Sequence, residues 1–407
     1  MAHAGVYIHI PFCRSRCSYC DFATGMYESA TAERYVRALI KEIGAWRQHE
    51  PKEFEVVDSI YFGGGTPSLL SVDQIKAILC ALGDRFDVAA DGEITLEINP
   101  GDGGTSAASK RSDSSSEHVR LDAALVRRRP RSKFFRELRE LGINRASFGA
   151  QTFDDRELKQ LGRTHTAADV TLTYRQLRDA GFENINFDLI AGLPGQTLAA
   201  WQRNLEEALK LRPEHLSLYL LDVHEGTPLA DQIKRGMRPK PDEDLAAEMY
   251  ATMIETVCAA GYEHYEISNF CLPGFESRHN SKYWMGAPYY GFGNSAHSYN
   301  GERRRWANER DVLKYVEMID DDKSPIIECT DLTDEDVRSE AIFLGLRLMR
   351  GIDLQNFQSA FESDLGDQYN GDLDRLVDAG LIEIDDNRLR LTTRGALLSN
   401  EVFAVLA

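Results

Sequence analysis

Cys13, Cys17 and Cys20 stand in a C-x-x-x-C-x-x-C run, and no further cysteine follows until Cys80. Three clustered thiolates make a metal site with one ligand too few. An iron–sulfur cubane held by three thiolates keeps its fourth iron open to an exogenous ligand, whereas structural zinc closes its tetrahedron with four protein ligands. Two other chemistries share part of the pattern. Cys17-Ser-Tyr-Cys20 alone is a redox-type C-x-x-C, a use that leaves Cys13 without a task, and His9 is available to complete a zinc site. The spacing supports metal binding better than it selects the metal.

The run from Tyr7 through Cys20 resembles the signature of radical S-adenosylmethionine (SAM) proteins of the oxygen-independent coproporphyrinogen III oxidase family. The resemblance continues in family order through Gly63-Gly64-Gly65-Thr66-Pro67-Ser68, Glu97-Ile98-Asn99-Pro100, Gly149-Ala150-Gln151-Thr152-Phe153, Leu161-Gly162-Arg163-Thr164-His165 and Phe187-Asp188 to Leu193-Pro194. It implies that Cys13, Cys17 and Cys20 bind three irons of a 4Fe-4S cluster, with SAM on the fourth. One-electron cleavage of the sulfonium then yields a 5′-deoxyadenosyl radical. Matching positions imply SAM contacts for Tyr7, Tyr19, Gly64, Gly65, Thr66, Glu97, Gln151, Arg163 and Asp188. Their chemistry suits that ligand. Glycine permits close backbone approach, Arg163 can pair with a carboxylate, and Glu97 or Asp188 can accept from an ammonium or from ribose hydroxyls. Taken singly, Glu97, Gln151, Arg163 and Asp188 are better explained by an ordinary polar network at strand ends.

His279-Asn280-x-x-Tyr283-Trp284 joins an iron-ligating imidazole to flat aromatic surface. A lone histidine beside aromatics is ordinarily a packed core residue, but the H-N-x-x-Y-W pattern resembles that of the HemW-like haem-chaperone branch, which implies haem binding by these four residues. His297 is a second candidate haem ligand and Cys271 a remote one. Cys80, Cys258, Cys271 and Cys329 otherwise read as core thiols. The coproporphyrinogen dehydrogenases carry a fourth cysteine two residues after the third, where this chain has Phe22, and a long extension before the cluster, where Cys13 is near the start. The resemblance therefore implies a haem carrier that hands haem to an acceptor haemoprotein, such as a respiratory one, with an electron donor for the cluster. A radical SAM enzyme acting on a porphyrin is the alternative, and a homodimer is compatible with either.

These residues need elements that bring them to one place. Strand-like runs at Val6–Ile10, Ser59–Phe62, Ile94–Ile98, Arg145–Phe148, Asn184–Ile190 and His215–Leu221 alternate with helical periodicity. One helix presents Tyr35, Val36, Leu39, Ile40, Ile43 and Trp46. Another, entered through a Ser71-x-x-Gln74 capping box, presents Val72, Ile75, Ile78, Leu79 and Leu82. Six βα units predict an α/β fold, a partial open (β/α)6 barrel of the radical SAM type, whose reactive groups sit at the strand ends. The expected division is a core over residues 1–238 with a low-complexity insertion at about 101–131, an extension over 239–325 carrying the histidine motif, and a smaller C-terminal winged-helix-like domain over 326–407. Helix Leu245 to Ala260 and a sheet-edge segment at Glu263 to Phe270 belong to the extension.

A net charge of −18, from 65 acidic against 47 basic residues, disfavours broad contact with nucleic-acid phosphates. The run Arg127-Arg128-Arg129-Pro130-Arg131 reads as a solvated loop. With no membrane-spanning or signal-like stretch and seven cysteines that suggest a metal site rather than a disulfide framework, a cytoplasmic protein is expected, not an integral membrane one.

Overall fold

The structure is a computed structural model that describes residues 3–46, 56–101 and 131–406. Apart from its end residues, the expected insertion at 101–131, with most of the arginine run, lies outside the described residues. Six strands, β1 (Ala4–Ile10), β2 (Val56–Gly64), β3 (Asp87–Ile98), β4 (Arg145–Gln151), β5 (Asn184–Ala191) and β6 (His215–Leu220), are each parallel to the next. Helices α1 (Ser29–Ala45), α2 (Val72–Gly83), α3 (Ser132–Glu140), α4 (Ala167–Asp179) and α5 (Leu198–Leu211) connect them, with a further short helix, Asp155–Gln160, ahead of α4. Every strand read from the sequence is present. The Ser71 capping box forms as expected, with Gln74 N donating to Ser71 Oγ at 3.2 Å and Ser71 N to Gln74 Oε1 at 2.9 Å.

The side-chain period of two decides what each face of this sheet carries. Val6, Ile8, Ile60, Phe62, Leu96, Phe148, Phe187, Leu189, Leu216 and Leu218 are buried in one apolar core with the helices. The intervening positions are polar: Ser59 and Tyr61, Glu93 and Glu97, Arg145 and Ser147, Asn186 and Asp188, His215 and Ser217. Most of them bond to one another instead, Tyr61 to Glu97 at 2.8 Å, Asn186 to Ser147 at 2.8 Å and His215 to Asn186 at 2.6 Å, while the buried Arg145 stands 4.0 Å from Glu93. The concave side of the barrel is therefore a polar interior.

Among the described residues twelve strands make up the sheet. Beyond β6 lie β8 (Asn269–Cys271) and β7 (Glu263–Glu266), antiparallel as the Glu263 to Phe270 reading anticipates. The short helix α7 (Arg278–Trp284) follows. On the opposite edge β9 (Tyr289–Phe292) pairs parallel with β1, and β10 (His297–Tyr299), β11 (Arg304–Asn308) and β12 (Ile326–Asp331) follow in antiparallel order. This second edge is not anticipated by the sequence reading. Its runs are short and interrupted by glycine and asparagine, and β12 is exposed along its whole length, so no alternating pattern betrays it.

Helix α6 (Glu243–Ala259) matches the Leu245 to Ala260 reading. After β12, α8 (Asp334–Arg347) leads to a three-stranded sheet of β13 (Ile352–Asp353), β14 (Ile382–Asp385) and β15 (Arg388–Leu391), with helices Leu354–Phe361 and Leu365–Asp378 before the hairpin. The helix–strand–turn–strand order is the winged-helix-like one. Asp386 and Asn387 have φ of +44° and +67°, which suits a two-residue hairpin turn. This unit docks on the barrel through Arg347, whose Nη2 donates to the fully buried Glu266 at 2.6 Å and whose guanidinium lies 4.3 Å from the Trp284 ring.

Glu42 on α1 ties the second edge to the core. Its carboxylate accepts from Gly293 N at 2.8 Å, Asn308 Nδ2 at 2.6 Å and Tyr315 Oη at 2.6 Å, while burial pushes its pKa up to about 7. A carboxyl with a folded pKa above the unfolded one holds its proton longer in the native state, so stability falls as pH rises from about 4.5 towards 7. Chemical denaturation across that interval is expected to show a Glu42 component on the order of 3 kcal/mol. Glu42→Gln removes this pH slope whatever its effect on absolute stability, and an unchanged slope in the variant rules the account out.

Candidate functional site

A cavity of about 410 Å³ opens where the parallel strands end, and the cysteine loop forms one wall of it. The loop is held at several points. Phe12–Cys13 pairs with Gly25–Met26, Ser18 N donates to Leu161 O at 3.0 Å, and Ser18 O accepts from Leu229 N at 2.8 Å. Behind it, His9 receives or donates bonds at both ring nitrogens, to Tyr7 Oη and to Ala23 O, each at 3.1 Å. His9 therefore braces the loop and is not the fourth zinc ligand considered above. Among the described residues no three His, Cys, Asp or Glu side chains converge on a single metal position. A cubane does not require that convergence, because each thiolate binds a separate iron.

Cys13, Cys17 and Cys20 are free, partly accessible and face this cavity together. Thr66 Oγ1 lies 3.7 Å from Cys13 Sγ as donor, and Arg163 Nη1 lies 3.4 Å from Cys17 Sγ. Burial pushes Cys13 up to about 11 and raises Cys20 as well. Thiols so placed keep their protons until a cation supplies the missing charge, which is how iron would ionise them. Donors aimed at the sulfurs and a vacant fourth position fit a three-thiolate cluster.

Of the nine positions implied for SAM, eight line the cavity: Tyr19, Gly64, Gly65, Thr66, Glu97, Gln151, Arg163 and Asp188. Tyr7 does not. Its ring is packed between Tyr61 and His279, at 6.1 and 6.3 Å between centroids, one layer beneath. Gly64, at φ +109°, donates to Glu97 Oε2 at 3.2 Å, and a Cβ there would meet the His9 ring at 2.6 Å. Gln151 holds φ +65° without being glycine, a local strain at the β4 end of the kind that functional sites retain. Arg163 is already engaged by Asn99 Oδ1, by Gly149 O at 2.9 Å and by Cys17, so its fork is partly committed before any ligand arrives. Burial pushes Glu97 up to about 7 against the opposing Tyr61 hydrogen bond, and raises Asp188 against its bond from Asn186 at 2.7 Å.

The histidine motif lies at the other end of the barrel. Helix α7 closes the side where the strands begin, with Glu93 accepting from Arg278 N at 3.1 Å and His279 N at 3.2 Å. His279 is 1% exposed; its Nδ1 pairs with Ser59 Oγ at 3.2 Å and its Nε2 with Tyr283 Oη at 2.9 Å. Burial lowers its pKa to about 3. The expectation of a haem-ligating His279 meets an imidazole with both nitrogens occupied, so iron can reach it only by displacing Ser59 or Tyr283. Trp284 is covered by Arg347, and none of His279, Asn280, Tyr283 and Trp284 lines the cavity. His297, the second candidate, is exposed on β10, which lies between β9 and β11.

Three of the four scattered cysteines are not core thiols. Cys80, Cys258 and Cys329 are exposed, and Cys271 alone is buried, its thiol pushed up to about 12 by burial. Cys80 sits off the Ile75, Ile78, Leu82 stripe and Cys258 off the Met249, Met253, Val257 stripe, by an angle that periodicity read loosely overlooks. The sequence reading also misses Tyr61, Asn99 and the loop after β6. Alternation along β2 places Tyr61 on the concave face, and the strand-end rule, carried on to the sixth strand, would have reached His224.

Comparison with known proteins fits this geometry. Residues 7–208 match the model of the radical SAM superfamily, and residues 332–398 the HemN C-terminal domain. The haem chaperone HemW of Lactococcus lactis is 35% identical, over 98% of this chain and 95% of its own. That of Bacillus subtilis is 35% identical over 98% and 97%. The solved structure of coproporphyrinogen III oxidase (HemN) from Escherichia coli superposes with a TM-score of 0.79 at 23% identity, covering 99% of this chain and 90% of that one. A half-barrel with three cysteines at its mouth is a radical SAM fold. Within that superfamily the chain belongs to the coproporphyrinogen oxidase-related family, on its HemW-like branch.

Membership brings the superfamily's cofactors, a 4Fe-4S cluster and SAM, which together supply reductive cleavage of a sulfonium. Cys13, Cys17 and Cys20 would hold the cluster. Gly64, Gly65 and Thr66 would offer backbone and hydroxyl groups to the SAM methionine moiety, and Glu97 and Asp188 would offer acceptors. A Cβ on Gly65 would come within 2.7 Å of Phe12 O and 2.8 Å of Pro11 C, both backbone. Gly65→Ala is accordingly expected to lower iron and sulfide per chain after anaerobic reconstitution, and full loading would show that the loop tolerates the shift. As a SAM contact, Glu97 would accept more strongly once it has given up its proton. Affinity should therefore drop as pH falls below about 7, by about tenfold per unit, and calorimetry on Glu97→Gln should find that dependence gone.

Proposed function

We propose that this chain is a 4Fe-4S- and SAM-binding haem chaperone that takes up haem and passes it to an acceptor haemoprotein, such as a respiratory one. The observation that carries this reading is likeness over nearly the whole length to two proteins named haem chaperones. Phe22 in place of the dehydrogenases' fourth cysteine supports it from the site itself. The reading requires two partners, an acceptor and an electron donor to the cluster, and does not require self-association. It places the protein in the cytoplasm. Among the described residues no helix is long and apolar enough to cross a membrane.

Two assays on one anaerobically reconstituted preparation test it. Haem added to the protein should shift the Soret band and saturate, and haem-loaded protein should transfer it to an apo-haemoprotein. Coproporphyrinogen III supplied with SAM and a reductant should remain unchanged. Turnover to protoporphyrinogen IX would replace the carrier by the alternative, a porphyrin-modifying radical SAM enzyme.

A further inference from the structure

The barrel interior contains a buried cation that hydrogen bonding does not explain. Arg145 opens β4 with its side chain 1% exposed, and neither its Nε nor its Nη1 has a hydrogen-bond partner among the described residues. The Glu93 carboxylate stands 4.0 Å from Nε, beyond hydrogen-bonding distance, and it already accepts from the amides of Arg278 and His279. A guanidinium stays charged at any physiological pH, and a charge without bonds in a dry interior is costly. Arg178 and Arg347 avoid that cost by bonding to Glu214 and Glu266. Arg145 supplies charge instead of bonds.

Register sets that charge between the strands that carry the two acids of the cavity. Arg145 pairs with Thr95 on β3 and Asn184 on β5, and because side chains alternate, Glu97 and Asp188 further along those strands share its face. Both acids feel it. The positive charge counters the upward push of burial on Glu97 and Asp188, and it helps to keep the imidazoles of His215 and His279 neutral. On Asp188 its influence exceeds that of Arg163, the guanidinium in the cavity wall. The other ionisable groups facing the acids are Tyr7, Tyr19, Tyr61, Tyr219 and Tyr283, whose phenols burial raises, so they stay neutral near pH 7. Asp21, Asp222 and His224 also line the cavity and are common to wild type and variant.

We propose that Arg145 is a positioning residue for SAM, a fixed positive charge inside the barrel that keeps Glu97 and Asp188 in the carboxylate form that accepts from the cofactor. The proposal rests on the SAM-site reading and adds to it a group outside the cavity lining. Arg145 acts only through the acids. SAM carries a sulfonium and an ammonium against one carboxylate, so a nearby cation repels it directly and can favour its binding only by ionising its acceptors. The two effects separate with pH: the indirect one fades once both acids are ionised, and the repulsion remains.

The test is calorimetric titration of SAM into reconstituted wild type, Arg145→Met and Arg145→Lys across a pH series, each checked first for cluster absorption. In Arg145→Met the pH below which affinity drops should move up from about 7 by about one unit, while at the alkaline end the variant binds at least as tightly as wild type. Arg145→Lys, which restores the charge without the fork, should keep the wild-type profile. A residue that only supports packing would weaken binding equally at every pH. That outcome in Arg145→Met, or an unmoved profile, overturns the proposal. Should Arg145→Met fail to load the cluster, Arg145→Lys decides: a retained profile supports the role of charge, and a loss at every pH overturns it. Wild type that binds no SAM at any pH removes the SAM-site reading itself.

Discussion

An open parallel barrel must find partners for every polar group on its concave face, because a buried donor or acceptor left unpaired costs about 1–3 kcal/mol. This barrel answers that constraint differently at its two ends. Near the strand starts the groups are consumed by protein: Glu93 receives the amides that open α7, Ser59 and Tyr283 take the two nitrogens of His279, and His215 is held between Asn186 and Tyr265. Near the strand ends they are left in excess. Glu97 and Asp188 are acids whose burial resists ionisation, burial likewise raises the thiols of Cys13 and Cys20, and a cavity lies between them. One end is closed by sequence and the other awaits a ligand that brings positive charge.

That division explains which parts of the site could be read beforehand. The three cysteines, the glycine turn and the strand-end acids were legible because each belongs to a local pattern: a spacing, a turn, or the last residue of an alternating run. The alternation itself gave both faces of the barrel. What stayed hidden was long-range. The β9–β12 edge depends on pairing between Tyr289–Phe292 and a strand nearly three hundred residues earlier, and its short, glycine-broken runs carry no period of their own. Tyr7 illustrates the same limit within the site, since only the stacking of Tyr61 and His279 shows that its ring lies beneath the cavity and not in its wall.

The histidine motif shows where a chemical reading of residue types gives way to packing. Histidine beside two aromatics suits a flat iron complex, and the same three groups suit a plug. Here the plug is what forms: His279 stacks on Tyr61 at 5.2 Å, Tyr283 packs edge-on against Tyr289 at 4.6 Å, and Trp284 lies beneath Arg347. Through Arg347 and Glu266 this plug joins the C-terminal unit to the sheet, so the motif stands between the barrel and that unit.

A consequence follows for reading any defect at His279. Removing the imidazole would leave the Ser59 and Tyr283 hydroxyls without partners in a dry interior and withdraw the ring that supports Tyr61. Tyr61 donates to Glu97, and Glu97 also holds Gly64 at the cavity wall. A substitution at the closed end is thereby transmitted in three contacts to groups expected to hold SAM. Lost haem binding in such a variant does not distinguish an iron ligand from a support of the barrel interior, unless cluster and SAM binding stay intact.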